Sequence, residues 1–475
     1  MKVIRNYLYN AGYQVLALVL PLITSPYISR VLGPYKTGVN TYTYSIIQYF
    51  VLFAGLGISL YGNRQIAYVQ NSKKEVSKIF YEIIVVEFLA VLASYIFFIF
   101  FMRFYSSNVT YMWLQSIYIV AVFFDISWLF MGLEDFKKIV IRNTLVKVVT
   151  VCFIFIFIKQ PSDLNKYILI LSLGTLVGNL TFWPYLKEIL VRVNLKELKP
   201  LRHILPTISF FAPQVAIQIY AQLNKTMLGA MVSETSSSYY NYSDTLIKMV
   251  LSLITATGTV MLPHVASAFS KGETGKVNIL VEKSFDYVSC LAIAMMFGIA
   301  GVSLHFGPYF YGPGYDPVGV VMMIESPIIL LIAWSNVIGN QYLLPTNNVR
   351  YYTTSVVMGA IVNIVLNIPL IMILGLNGAM ISTVLSELAV TCYQLYCVRN
   401  KLNLKKLFIN VPKYFLAGIL MFLPVFYLNI MLHTSILSIF VEVFLGIVIY
   451  VVILLILKPT ILDDITKIVM KRMEK

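Results

Sequence analysis

Residues able to do covalent chemistry are few in this chain, and none is arranged for it. The four histidines, His203, His264, His305 and His433, fall on different loops and on the ends of apolar runs. There is no HExxH, no GxSxG and no Walker-type lysine loop. The cysteines Cys152, Cys290, Cys392 and Cys397 lie within apolar runs, without zinc spacing or a disulfide framework. An enzyme is therefore not expected, and neither is a cofactor or a metal. Energy for any work must come from a gradient or from the substrate.

What remains is a set of charges in apolar surroundings, where each costs about 2.5–3.5 kcal/mol to insert. The basic ones are Arg142, Lys147, Lys225 and Lys248 inside apolar runs, with Arg30 and Arg64 at run ends. One reading makes them the lining of a cationic cavity between two lobes, which would attract an anionic ligand. The other makes them snorkels or internal ion pairs. Lys248 lies eight residues into its run, about 12 Å deep at 1.5 Å per residue, a depth that a lysine can mostly snorkel. The acidic ones are Glu87, Asp125, Asp244, Glu325, Glu387 and Glu442. Glu387 is nearest a midplane. A carboxyl at such depth can take a proton or a cation, which makes Asp125, Glu325 and Glu387 coupling candidates, or it stays neutral or pairs with a lysine.

The elements that would position these charges follow from composition. Of 475 residues, 59% are hydrophobic and 12% charged, against about 25% charged in globular proteins. The apolar residues come in runs of about 20, the length of a helix crossing a bilayer core. An all-α integral membrane protein with about fourteen spans is expected: 9–29, 39–60, 79–101, 111–132, 139–158, 166–186, 206–231, 240–263, 284–304, 318–343, 351–374, 377–397, 412–432 and 435–457. No cleavage site follows the first run, which reads as a membrane helix. FLAVLASYIFFIFF does not alternate, as a barrel strand would. No connecting segment is long enough for a folded extramembrane domain.

The net charge of +15 would suggest nucleic acid in a soluble protein, but here lysine and arginine sit between the runs. Even-numbered loops with both termini hold 26 of them and odd-numbered loops hold 4, Arg30, Lys36, Arg103 and Lys159. That split places both termini in the cytoplasm of a cell-membrane protein and favours an even helix count. The longest basic connector, KEILVRVNLKELKPLRH, separates spans 1–6 from spans 7–14. The expected organisation is a six-helix lobe over 1–190, a basic linker over 191–205, a second six-helix lobe over 206–400, and two extra helices with a basic amphipathic tail over 401–475. The tail from Lys458 to Lys475 would lie on anionic lipid.

A weak repeat supports two lobes. RVLGPYKTGVNTYTYS and TMLGAMVSETSSSYYNYS share a Leu-Gly pair, Leu32-Gly33 and Leu228-Gly229, and end in Tyr44-Ser45 and Tyr242-Ser243, with offsets of 196 and 198 residues. Pro21, Pro26, Pro206, Pro213, Pro327 and Pro369 interrupt spans, as packing kinks or as bends used in alternating access. The 33 tyrosines form an interfacial belt, and some are also suited to stacking on sugars.

The stretch from Asn10 to Ala67 resembles the first two helices of Wzx-type polysaccharide flippases, within the MATE-like multidrug/oligosaccharidyl-lipid/polysaccharide superfamily. The residues that carry this are NAGYQ, PLITSPYISRVLGPYKTG (Pro21 to Gly38) and FAGLGISLYGNRQIA (Phe53 to Ala67). Weaker matches follow in order at Leu223–Gly229, His305–Pro317 and Gly375–Glu387. The resemblance implies two six-helix lobes around a central cavity, plus two C-terminal helices. It implies an undecaprenyl-diphosphate-linked oligosaccharide as substrate, moved to the outer leaflet for cell-surface polysaccharide synthesis. Polysaccharide polymerase and glycosyltransferases would be its working partners. Arg30, Arg64 and Lys225 carry over as substrate contacts. Many relatives have an acid just before that lysine, where this chain has Asn224. A cation-coupled multidrug exporter on the same fold would instead show an acidic cavity. A polymerase would need a long outer loop, and the longest here is the short run from His305 to Pro317.

Overall fold

The computed structural model describes residues 2–462, and helices are the only regular elements among them. Fourteen spans can be followed. They are α1 (2–32), α2 (34–55, continued by Ile58–Val69), α3 (Lys73–Met102), α4 (Val109–Gly132), α5 (Phe136–Phe157), α6 (Pro161–Ile189), α7 (Ile204–Met231), α8 (Glu234–Ser270), α9 (Thr274–Tyr311), α10 (Asp316–Glu325 with Pro327–Leu343), α11 (Val349–Leu374), α12 (Leu376–Val398), α13 (Leu404–Met431) and α14 (Ile436–Leu457). By length and composition eleven described helices can cross a membrane, and the bent pair of α10 makes a twelfth. The count reaches fourteen because the first of those eleven holds both α1 and α2, and because α7 is a further 28-residue helix. The all-α membrane fold expected from the sequence is the one observed. Residues 463–475 of the expected amphipathic tail lie outside the described residues.

α1 and α2 run as one continuous helix except at Gly33, whose φ of 75° is open to glycine and strained for a residue with a Cβ. Pro34 follows, with no N–H to give to a helical bond. The predicted loop is thus a kink. Its repeat counterpart behaves differently. Gly229 stays helical and lets the Tyr42 ring pack against the α7 backbone. Pro206, expected to bend α7, falls in its first turn, where no helical bond is lost.

The chain divides into two compact units, with the boundary at Ser238/Tyr239 inside α8. In the first unit, Gly62 of α2 lies against the Trp128 ring of α4, and Trp128 stacks on Phe80 of α3 at 5.7 Å. α7 follows α2 through Gln218–Gln48 at 3.1 Å and Ser45–Thr226 at 2.8 Å. The linker before α7 is clamped to α3. The buried Glu82 carboxylate accepts from Arg202 Nη2 at 2.6 Å, His203 Nε2 at 2.7 Å and the Lys199 N–H at 2.8 Å, while the Tyr61 hydroxyl meets His203 Nδ1 at 2.6 Å.

In the second unit, α11 and α12 turn at Gly375 and pack through small and amide residues. Gly378 meets the Leu370 backbone, and Asn363, Asn367, Ser382 and Ser386 are fully buried. Such close-packed, hydrogen-bonded seams hold membrane helices together where lipid removes the hydrophobic drive between them. α13 and α14 dock on α9. Asp286 of α9 accepts from the Tyr414 hydroxyl at 2.8 Å and from Asn410 Nδ2 at 3.0 Å, and the Tyr450 hydroxyl donates to the Cys290 carbonyl at 2.8 Å. Asn429 donates to Glu442 at 2.8 Å, which accounts for that buried acid.

Candidate functional site

The main candidate site lies in the first unit and is built on a broken helix. α4 keeps helical dihedrals through Ser116 and loses its regular backbone at residues 124–126. Two carbonyls at this break, each accepting a backbone turn bond, gain a second donor from α6. Asn179 Nδ2 donates to the Ala121 carbonyl at 2.7 Å, and Trp183 Nε1 donates to the Phe124 carbonyl at 3.1 Å. Non-helical backbone survives at membrane depth where protein groups satisfy it. The break leaves Asp125 at a cavity wall, its Oδ1 accepting from the Ser127 N–H at 3.1 Å.

That cavity holds about 470 Å³ and is lined by α1, α2, α4, α5 and α6. Two of the six predicted basic residues line it, Arg142 and Lys147, together with one predicted acid, Asp125. Arg142 is fixed in place. Its Nε donates to the Gly178 carbonyl at 2.9 Å, its Nη1 to Asn143 Oδ1 at 2.5 Å and its Nη2 to Asn179 Oδ1, and its guanidinium lies 4.8 Å from the centre of the Phe182 ring. Asn179 therefore ties the arginine to the broken α4. Lys147 stands on the same wall and is half-buried. Tyr44 and Tyr118, an edge-on pair at 5.2 Å, and Tyr167 also line the cavity. A fixed guanidinium, an ammonium and a ring of hydroxyls and amides suit an anionic, hydroxyl-rich ligand.

A second cavity of about 350 Å³ adjoins the first and shares Tyr44, Tyr118, Asp125, Thr175 and Asn179 with it. Its remaining walls include Glu87, Trp128, Gln48 and Gln214.

The other candidates sit elsewhere. Arg30 is exposed on α1, and Arg64 is exposed on the continuation of α2, stacked over Phe210 at 4.8 Å and Tyr68 at 5.8 Å. Lys225 is half-buried in α7 beside the buried Asn224. None of these three lines either cavity. Lys248 belongs to the second unit, and its exposed ammonium pairs with the buried Asp244 carboxylate one turn earlier on α8, at 2.8 Å. Glu325 and Glu387 lie within electrostatic reach of it. Glu325 stands at the 40° bend of α10 and accepts from the Ser243 hydroxyl at 2.5 Å.

Glu82 with Arg202 and His203 escaped sequence reasoning, as did Asp286. One signal was available for the first: an acid near the end of a span, in a chain with a basic linker, calls for a partner.

With the geometry in view, comparison with known proteins settles the family. Residues 3–269, more than half of the chain, match the family described as polysaccharide biosynthesis protein. The chain belongs to that family. The matched stretch contains the whole Asn10–Ala67 motif and both cavities. Among the relatives of this chain is the putative O-antigen transporter of Escherichia coli K12, 26% identical over 402 residues, covering 83% of this chain and 96% of that protein. Among solved structures, the lipid II flippase MurJ in an inward closed conformation superposes with a TM-score of 0.73 at 15% identity, covering 94% of this chain and 98% of that one. An inward-facing multidrug resistance MATE family transporter gives 0.61 at 14% identity, covering 80% and 94%. At these identities the structural likeness speaks for the fold, which is the MATE-like one that the Wzx resemblance implied.

Proposed function

We propose that this protein moves an undecaprenyl-diphosphate-linked oligosaccharide from the inner to the outer leaflet of the cytoplasmic membrane, by alternating access, without covalent change to the substrate. The observation that carries this reading is the cavity in which Arg142 and Lys147 face tyrosines and amides at membrane depth. A diphosphate needs paired cations, and an attached glycan needs hydroxyl and amide partners. Membership of a polysaccharide biosynthesis family and the named activities of the relatives agree with it. In this reading the lobes that rock are 1–190 and 206–400, with 191–205 between them and both termini in the cytoplasm. Arg30, Arg64 and Lys225 serve other stages of the passage. Asp125, Glu325 and Glu387 are the acids to test for coupling, and polymerase and glycosyltransferases are the expected partners.

The test is leaflet-resolved transport in proteoliposomes, with a polyprenyl-diphosphate oligosaccharide and a reagent that modifies only outer-leaflet sugar. Protein-dependent modification is expected. Its absence with folded protein and the host's own glycan overturns the reading.

The three carboxylates around the single Lys248 favour one second reading, cation-coupled multidrug export on the same fold. Drug resistance conferred by expression, abolished by Glu325→Gln, would support it.

A further inference from the structure

A groove of about 580 Å³ in the first unit is lined by α2, α3 and Ile204, the first residue of α7. Its walls include Phe50 and Phe53 of α2 and Leu89, Ala90, Ala93 and Phe97 of α3. Ser94, the polar member of the lining, donates its hydroxyl to the Phe50 carbonyl at 2.7 Å and so has spent its proton within the protein. Phe53, Leu89 and Phe97 are 52%, 47% and 63% exposed, so the groove opens outward, to lipid in a membrane. It shares no lining residue with the two polar cavities. Val86 lines the groove while its neighbour Glu87 lines the second cavity, so α3 stands between them. Charge gathers beside the groove. Val86 follows Glu82 by one turn of α3, Ile204 follows Arg202 by two residues, and Glu82 and Arg202 are paired at 2.6 Å. Lys78 stands one turn before Glu82. The Arg202 side chain is 48% exposed and gives Nε and Nη2 to Glu82, while its Nη1 has no acceptor among the described residues. Residues 187–203 carry five lysines and arginines against two glutamates, which leaves a surplus of positive charge. Leu201 and Leu205, on either side of Arg202, are 72% and 80% exposed. Cations interleaved with exposed apolar side chains suit the boundary between headgroups and acyl chains.

We propose that this groove is a binding site for an anionic phospholipid, with an acyl chain along α2 and α3 and the phosphate at the Arg202 guanidinium, supported by Lys78 and Lys199. The apolar lining takes the chain, and the basic surplus selects the negative headgroup. The occupant is a resident lipid rather than a transported one, because the groove is walled off from both polar cavities. Its chain lies against Leu56, whose φ of 43° marks the break of α2. The next residue, Gly57, packs on the Phe210–Phe211 backbone of α7, and Phe53 meets the Phe211 ring at 5.6 Å. A lipid seated there braces a strained joint between α2 and α7.

The experiment is thermal unfolding of the delipidated full-length protein in detergent, with phosphatidylglycerol, phosphatidylcholine of the same chains, or undecaprenyl phosphate added. Phosphatidylglycerol should raise the melting temperature by at least about 3 °C, since a ligand that binds only the folded state stabilises it. Phosphatidylcholine should give less than about half of that shift, because it lacks the net charge that the basic residues select. Ala93→Phe fills the groove from an exposed position and should abolish the phosphatidylglycerol shift. Arg202→Gln should level the two phospholipids. Lys199→Gln leaves the Glu82–Arg202 pair intact and should narrow the difference between them. Equal shifts from the two phospholipids in the unaltered protein, or a phosphatidylglycerol shift that survives Ala93→Phe, overturns the site. A larger shift from undecaprenyl phosphate than from phosphatidylglycerol gives the groove to the transported carrier and overturns the resident-lipid assignment. Each readout is binding without transport, so this site and the flippase reading stand or fall separately.

Discussion

Arg142 shows why its chemistry is tied to its geometry. Three donor groups and a ring face are all engaged, so the guanidinium presents a fixed charge to the cavity. Arg142→Lys keeps the charge but loses the fork that holds it. Arg142→Ala is expected to lower transport by roughly 10- to 100-fold, the worth of a charged hydrogen-bonded contact of about 1.5–3 kcal/mol. Arg142→Lys should fall between that and the unaltered protein, and initial rates of leaflet-resolved transport measure both. Glu82 calls for a different variant. Its carboxylate is fully buried and gathers Arg202, His203 and a backbone N–H, so Glu82→Ala leaves a buried histidine without its partner. A loss of about 3 kcal/mol is expected, the low end for a broken buried pair because Arg202 is half-exposed. Thermal unfolding in detergent reads it, and rescue by Glu82→Gln should be partial. Arg142, Lys147 and Asp125 were visible in the sequence because charge inside an apolar run is conspicuous. Their meeting was not. Asp125 depends on a break in α4 that no proline or glycine marks at residues 124–126, and Asn179 repairs it from a helix more than fifty residues away.

At the level of elements, the runs of about twenty apolar residues were enough to place the helices, since only a helix satisfies its own backbone in lipid. What they left open was how neighbours join. The stretch between the first two runs reads as a loop because it holds Gly33, Pro34 and a lysine. The structure needs only one left-handed residue there and keeps the helix going on both sides. Gly33→Ala should therefore cost about 1–2 kcal/mol of backbone strain and little packing, because open space surrounds the position. Gly378→Leu is the contrasting case. Its side chain would run into the Leu370 backbone at the α11–α12 turn, so α11 and α12 must separate. Loss of monodisperse protein on size exclusion is expected for Gly378→Leu, and a shifted melting temperature alone for Gly33→Ala.

For the whole molecule, the sequence indicated the number of spans and the family, but left the last two helices as additions. Hydropathy cannot tell a face turned to lipid from one turned to protein, since both are apolar. Asp286, Tyr414, Asn429 and Glu442 show that α13 and α14 are part of the second unit's core. Deleting residues 404–475 should accordingly prevent accumulation of folded protein, as read by size exclusion of a fluorescent fusion. Asp286→Asn in the truncated chain should recover part of it by removing the stranded charge.

The 124 residues between Asp286 and Asn410 also set a clock for biogenesis. At a synthesis rate of about 5–20 residues per second, α9 waits roughly 6–25 s before the partner of its carboxylate has been made. During that interval a half-finished chain displays an acid that the bilayer disfavours, a mark that a membrane insertase or protease can read. Synthesis of the segment that carries Asn410 and Tyr414 erases the mark, so α13 certifies that the core of the second unit has closed.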